Sequence, residues 1–236
     1  MKEGELIDDE KSVVAIIPAY NEEGTLLEVI MDTKNYADHV VVIDDSSTDN
    51  TKPIAEKYAD KVISHEENRG VGAAVSTGYS IAIQEDYNIV VQIDADGQHD
   101  PSYIPNLLEE MKEQGADMVI GSRWLNDSHK EYSLVRRAGI KFFTHEVNLL
   151  TGLSITDVTS GFRAYNTDML KDLSQPGDRH WALEQTLEAA RKEYTVSEVS
   201  VPMPPATDGS QFDLKTFLAY PPRMIIATLK IYYKSD

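Results

Sequence analysis

The stretch Asn88-Ile-Val-Val-Gln-Ile-Asp94-Ala-Asp96-Gly-Gln98-His-Asp-Pro101 decides how this chain is read. Ile89–Ile93 is mostly apolar and β-branched, which predicts a buried strand, and the Gly, amide and Pro beyond it predict a turn. Between them stand two carboxylates one residue apart. A strand that leaves the core and presents Asp-x-Asp at its carboxyl end offers hard oxygen ligands. Mg2+ or Mn2+ suits such ligands, sharing the rest of its shell with substrate phosphates. In a chain with 40 Asp and Glu, an isolated Asp-x-Asp would as readily be a solvated turn. The strand before it and the Gly-x-x-x-Pro behind it favour the cation.

Outward from this stretch, apolar runs alternate with helical patterns. Strands are expected at Val13–Ile17, Val40–Ile43, Lys61–Ser64, Ile89–Ile93 and Met118–Gly121. Helices are expected at Glu22–Thr33, Asn50–Tyr58, Val71–Glu85 and Pro101–Gln114. This is the pattern of a parallel, doubly wound α/β sheet, whose ligands sit beyond the carboxyl ends of the strands. Three strands run into polar clusters: Pro18-Ala-Tyr20-Asn-Glu22-Glu23, Asp44-Asp45-Ser-Ser-Thr-Asp49 and Asp94-Ala-Asp96. Three clusters at one sheet edge predict one cleft. Further on, a helix over Ser133–Leu150, a loop over Thr156–Tyr165, a helix over Trp181–Lys192 and a strand over Val196–Val201 are expected.

Composition narrows the function. At 236 residues with 41% hydrophobic content, the chain suits one large α/β domain. A formal charge of −18 argues against a nucleic-acid partner, which needs clustered Lys and Arg. An anionic ligand must instead meet a local basic pocket, and Arg123, Arg136, Arg137 and Lys141 form the one that stands out. There is no Cys, hence no disulfide or thiolate metal site, and the six His residues lack metal-ligand spacing. Met1–Lys11 reads as neither a signal nor a transit peptide, and no apolar run reaches the roughly 18 to 20 residues of a bilayer span. The protein is expected to be soluble or peripheral, and cytoplasmic.

Six segments in this order carry a resemblance: Ile17-Pro-Ala-Tyr-Asn-Glu-Glu, Val42-Ile-Asp-Asp-Ser-Ser-Thr-Asp, Asn68-Arg-Gly-Val-Gly-Ala-Ala, Gln92-Ile-Asp-Ala-Asp-Gly-Gln-His-Asp-Pro, Gly121-Ser-Arg and Ser160-Gly-Phe-Arg-Ala-Tyr. Together they resemble the family 2 glycosyltransferases of the GT-A fold, within them the polyprenyl-phosphate (dolichol-phosphate) hexosyltransferases. The resemblance runs from about Ser12 to Phe212. It implies a GT-A, Rossmann-like, mostly parallel sheet flanked by helices, with an acceptor-side helical region. Pro18, Tyr20, Glu22, Asp44 and Asp45 would line the base and ribose pocket of a nucleotide-sugar donor, with Arg69 near the donor. Asp94, Asp96 and Gln98 would hold Mg2+ or Mn2+. Arg123 and Arg137 would hold the phosphate of a polyprenyl or dolichyl phosphate acceptor. Such a phosphate arrives largely ionised, whereas a sugar hydroxyl acceptor would need a base, for which Asp157 is the candidate. The reaction implied is an inverting, in-line hexosyl transfer.

The sequence also departs from that pattern. The Gly-Lys-Gly of many relatives is Gly70-Val71-Gly72, and Ala206 replaces an Arg that contacts phosphate in the branch. The second departure shifts the expected donor from GDP-mannose towards UDP-glucose. Gly70 and Gly72 follow the third strand rather than the first, which speaks against a dinucleotide-binding dehydrogenase. Glu184 and Glu188, one turn apart, read as a solvated stripe. The expected division is a catalytic domain over residues 1–212 and an amphipathic segment over 213–236, packed on protein or lying at a membrane interface. The expected activity is metal-dependent hexosyl transfer to a polyprenyl phosphate. Transfer to a glycan hydroxyl and a non-catalytic nucleotide-sugar-binding module are the alternatives.

Overall fold

The computed structural model of the chain describes residues 12–174 and 181–205. Seven strands form one sheet: β1 (Val13–Ala19), β2 (His39–Asp44), β3 (Lys61–Ser64), β4 (Ile89–Gln92), β5 (Met118–Ser122), β6 (Arg163–Asn166) and β7 (Val196–Ser200). Their spatial order is β3-β2-β1-β4-β6-β5-β7. All neighbours run parallel except β6, which is antiparallel to both β4 and β5. The helices are α1 (Leu26–Thr33), α2 (Thr51–Tyr58), α3 (Val71–Gln84), α4 (Ile104–Gln114), α5 (Leu134–Thr151), α6 (Thr167–Asp172) and α7 (Trp181–Arg191).

The unbroken apolar character of β1 follows from cover on both faces. Val14 and Ile16 point into one core with α3, α5 and α7, while Val13, Ala15 and Ile17 point into the other with α1, α2 and α4. Strand order reverses between β1 and β4, since β2 and β3 build one way from β1 and the chain then returns to its other side. Such a switch point opens a crevice at the carboxyl ends of the two strands. The Tyr20–Glu23 turn and Asp94–Asp96 flank it.

Most expected elements are present within a residue or two. The first helix starts later than expected, at Leu26, because Glu22–Thr25 forms a turn with Thr25 and Leu26 N–H both on the Glu22 carbonyl. Pro101–Tyr103 is a separate 3-10 turn before α4. The larger difference is β6, which lies where a loop was expected. The expected boundary near residue 212, the amphipathic segment, Ala206 and Met1–Lys11 lie outside the described residues. Among the described residues no helix is long and apolar enough to cross a membrane.

Close packing of α3 on the sheet depends on Gly78. A Cβ there would sit 2.9 Å from Ile16 Cδ1, 3.1 Å from Ile16 Cβ and 3.0 Å from Ile43 Cδ1. Gly78→Val should lower stability in urea unfolding by about 1–3 kcal/mol, the cost of overfilling a packed core; unchanged stability would mean that α3 sits further from the sheet.

Candidate active site

Hydrogen bonds bind the loops after β1, β2 and β4 into one edge. Asn21 N–H donates to Ser47 Oγ at 3.0 Å, and Thr48 N–H returns to Asn21 Oδ1 at 2.8 Å. Glu22 N–H donates to Thr51 Oγ1 at 2.7 Å, and Asn50 N–H to Glu23 Oε2 at 3.0 Å. From the other side, Thr25 Oγ1 donates to the carbonyl of Ala95, the residue between the two Asp carboxylates, at 2.7 Å. Pro18 is buried in β1 opposite Ile43, Tyr20 is 46% exposed, Glu22 is half-buried and Asp44 is buried with Ser47 N–H on its carboxylate. These residues lie at and just beyond the carboxyl ends of β1 and β2.

Asp94 and Asp96 lie just beyond the carboxyl end of β4. Burial pushes the Asp94 carboxyl above the ordinary carboxylate range and Asp96 adds to this, while His99, Arg123 and Gln92 pull the other way. Asp94 N–H donates to His99 Nδ1 at 3.1 Å, so His99 carries its proton on Nε2, 3.8 Å from Asp94 Oδ2. Gln98 donates to Asp96 from both its backbone N–H and its side-chain amide. Two neighbouring half-buried acids, with the charge on Asp94 disfavoured, fit a cation. A second observation agrees. A Cβ on Gly161 would lie 2.8 Å from Asp94 Oδ2, so any side chain there would push the carboxylate from its place. Among the described residues no three His, Cys, Asp or Glu cluster to hold a metal. A cation would therefore rest on Asp94, Asp96, the Gln98 amide and oxygens of the ligand, the mode in which Mg2+ and Mn2+ commonly bind beside phosphates.

Strand β6 brings that loop there. Its antiparallel register sets Gln92 against Arg163, so Asp94 and Gly161 come opposite each other two residues beyond the ladder. Arg163 is fully buried and holds the loop from beneath, with Nε on the Ser160 carbonyl at 2.7 Å and Nη2 on the Val158 carbonyl at 2.6 Å. Its Nη1 reaches the Ala182 carbonyl of α7 at 2.9 Å. Glu198 of β7 accepts from Thr156 N–H at 2.6 Å and Asp157 N–H at 2.9 Å. At the loop's start, Asp157 pairs side-on with Arg123: Nε to Oδ2 is 2.6 Å and Nη2 to Oδ1 is 2.7 Å. Burial alone would raise Asp157, but the Arg123 guanidinium holds it below the usual carboxylate range. Burial alone would lower Arg123, and Asp157 outweighs it.

Beside this pair lies a second cation. Arg136 of α5 stacks on the Tyr132 ring at 4.4 Å, with Arg123 at 5.5 Å from the same ring. Tyr132 is fixed in turn by its hydroxyl on the Met203 carbonyl at 2.9 Å. Burial lowers the Arg136 pKa, the neighbouring Arg123 lowers it further, and Asp157 and Asp96 oppose both. Among the described residues no carboxylate forms an ion pair with Arg136. The site thus joins a half-buried carboxylate pair to a cation that lacks a carboxylate partner among the described residues, and bridging the two suits a phosphorylated ligand.

Residues 14–174 match the profile of glycosyl transferase family 2. The chain belongs to this family. It is 32% identical over 214 residues to the UDP-N-acetylglucosamine–dolichyl-phosphate N-acetylglucosaminyltransferase of Methanococcus voltae, spanning 81% of this chain and 85% of that protein. It is 30% identical over 201 residues to the polyprenol monophosphomannose synthase of Mycolicibacterium smegmatis, spanning 80% of this chain and 76% of the relative. With the dolichyl-phosphate hexose transferase of Haloferax volcanii it shares 29% identity over 192 residues, 80% of this chain and 82% of that one. The fold is similar to that of glucosyl-3-phosphoglycerate synthase from Mycobacterium tuberculosis, crystallised with Mn2+, UDP and phosphoglyceric acid. The TM-score is 0.73 at 21% identity, over 96% of this chain and 80% of that one. The α/β GT-A fold read from the motifs is therefore the fold of this glycosyltransferase.

Several side chains of the glycosyltransferase do other work than the motifs implied. The Asp45 carboxylate faces the loop before α3 rather than the crevice: it takes His65 Nδ1 at 2.6 Å, Arg69 N–H at 3.0 Å and Gly70 N–H at 2.7 Å. The Arg69 side chain is exposed. Asp157 pairs with Arg123, so neither group is free in the way a base or a lone phosphate ligand would be. Arg137 is half-buried and makes no ion pair among the described residues, and it is Arg136 that stands against the site. Glu188 is buried and accepts from Ser174 N–H at 3.1 Å, which corrects the solvated stripe. Arg163, Glu198 and Gly161 escaped the reading as supports of the loop.

The Arg123–Asp157 pair sets a pH dependence. The native pKa of Asp157 lies below its unfolded value, so the pair's stabilisation is present above about pH 4 and is lost as pH falls through the lowered native value. Asp157→Asn should cost about 3–5 kcal/mol at pH 7, the scale for leaving one buried partner alone. The gap to the parent protein in urea unfolding should narrow through the acid range. A gap that stays constant with pH would contradict the pairing.

Proposed function

We propose that this glycosyltransferase moves a hexose from a nucleotide sugar to a polyprenyl or dolichyl phosphate, with inversion and with a divalent cation. The observation that carries the reading is Arg136, a half-buried cation beside Arg123 with no carboxylate partner among the described residues. In a chain of charge −18, such a group is retained where an anion arrives. The names of the relatives above agree on dolichyl or polyprenyl phosphate as acceptor and disagree on the sugar.

Pro18, Tyr20, Glu22 and Asp44 would receive the base and ribose of the donor, their carboxylates accepting from imide and hydroxyl donors. Asp94, Asp96 and Gln98 would hold Mg2+ or Mn2+. Such a cation supplies charge for the diphosphate as it leaves. The Gly161 backbone keeps the loop against the Asp94 carboxylate. Arg136 would take the acceptor phosphate, Arg137 would approach from the next position on α5, and the Arg123–Asp157 pair would fix the wall between them. A phosphate with a second pKa near 6 needs no base, so its oxygen attacks as it stands. Transfer to a hydroxyl with Asp157 as base finds less support. Both Asp157 oxygens are bonded to Arg123 and its pKa is lowered, the wrong direction for a base. UDP-glucose is the preferred donor on the strength of Ala206, with GDP-mannose second.

A donor panel with Mn2+ and a short polyprenyl phosphate, read by extraction and mass spectrometry, tests the proposal. One donor should give a lipid-phosphate hexose, lost in Asp96→Ala. Arg136→Met should raise the KM for the lipid phosphate about 10- to 100-fold with little change for the donor, as expected for one charge-assisted contact. Product with hydroxyl acceptors alone, or a change confined to the donor KM, would contradict it.

A further inference from the structure

Helix α5 buries Gly139, Ile140, Phe143, Thr144 and Val147 and turns its opposite side to solvent. That side carries large apolar residues together with exposed Lys141 and His145 and half-buried Glu146. Leu134 is 78% exposed, Leu149 75% and Phe142 42%, with Ala138 exposed between them. These positions fall on one stripe of a 3.6-residue helix about 22 Å long. Scattered exposed apolar residues are ordinary, but three large ones on one helix stripe, interrupted there by His145, ask for a partner.

Charge identifies the partner. Arg137 and Lys141 run along one edge of the stripe, and Lys141 Nζ lies 4.8 Å from the centre of the Trp124 ring. A second exposed apolar group, Leu27 and Met31 on α1, shares its surface with Glu28 and Asp32. A chain of charge −18 is repelled by an anionic leaflet unless it presents a basic face, and of these two only α5 does so. The amino-terminal turn of α5 also carries Arg136, beside Arg123 at the site. The stripe therefore leads away from the place where a lipid phosphate would be held.

We propose that this face of α5 docks on an anionic membrane surface, with Leu134, Phe142 and Leu149 among the acyl chains and Arg137 and Lys141 at the level of the phosphates. The proposal rests on the lipid-phosphate reading above and deepens it. Docking along α5 would bring the site to the headgroup layer, so that the acceptor phosphate reaches Arg136 while its isoprenoid tail stays in lipid.

The absence of Cys allows a clean probe. Phe142→Cys and Leu149→Cys, each carrying a nitrobenzoxadiazole dye, are mixed with vesicles of phosphatidylcholine containing about 30% phosphatidylglycerol, with Glu28→Cys on α1 as control. Both α5 dyes should shift to the blue and be quenched by doxyl-labelled lipid, and the α1 dye should do neither. The proposal is overturned if the α5 dyes keep a water-like emission with vesicles. It is equally overturned if they are already blue-shifted without vesicles and unchanged by them, as when residues 206–236 or a second copy cover the face. As a second test, the Phe142→Glu, Leu149→Glu double variant should keep its transfer to a short water-soluble isoprenyl phosphate. Its transfer to a long-chain acceptor in vesicles should fall about 10-fold or more. An equal fall with both acceptors would count against docking. Absence of transfer to any polyprenyl phosphate would remove the acceptor reading, whereas the dye result decides the docking face by itself.

Discussion

The antiparallel pairing of β6 is the constraint on which the site depends. A βαβ unit adds its strand parallel to the sheet, and its loops then stay near their own strand. Strand β6 runs the other way between β4 and β5, so the segment that precedes it arrives at the carboxyl ends of its neighbours. That single reversal puts Gly161 against Asp94 and Asp157 against Arg123. The register is held from inside by Arg163, which gives its guanidinium protons to loop and α7 carbonyls, and from the edge by Glu198 on β7. A buried guanidinium bonded to carbonyl oxygens is costly unless its donors are met, and here they tie two elements to one strand.

Electrostatics then divides the edge in two. On the β4 side, desolvation and mutual repulsion raise Asp94. On the α5 side, Arg123 is neutralised by Asp157 while Arg136 keeps an aromatic face as its partner. The two halves are complementary to a ligand pair that brings phosphates to both. The loops after β1 and β2 complete the crevice at the switch point, cross-linked by Asn21, Glu22 and Thr25.

Much of this was legible in the sequence. The parallel core announces itself through runs such as Val13–Ile17, because strands covered on both faces need apolar residues on both. The three polar clusters were legible for the same reason, being the places where those runs stop. What sequence could not supply was partnership. Strand β6 has four residues, Arg-Ala-Tyr-Asn, too short and too polar to show a period. Its Arg looks solvated until carbonyls from α7 and the preceding loop surround it. Asp45 was read with Asp44 as a ligand pair, yet alternation along the chain turns one to the β2 end and the other to the loop before α3. Arg136 and Arg137 differ by one position, and about 100° of helix rotation decides which of them meets Tyr132 and the site.

The account stands or falls on the closeness of the Gly161 backbone to Asp94. Calorimetric titration of UDP and GDP into the protein with and without Mn2+, repeated on Gly161→Ala, measures it. The account predicts that at least one nucleotide binds only with Mn2+. In Gly161→Ala that affinity should drop about 10-fold or more, because the new methyl displaces a cation-binding carboxylate, while thermal unfolding changes little. Equal Mn2+-dependent affinity in the two proteins would mean that the β6 loop does not shape the seat of the cation.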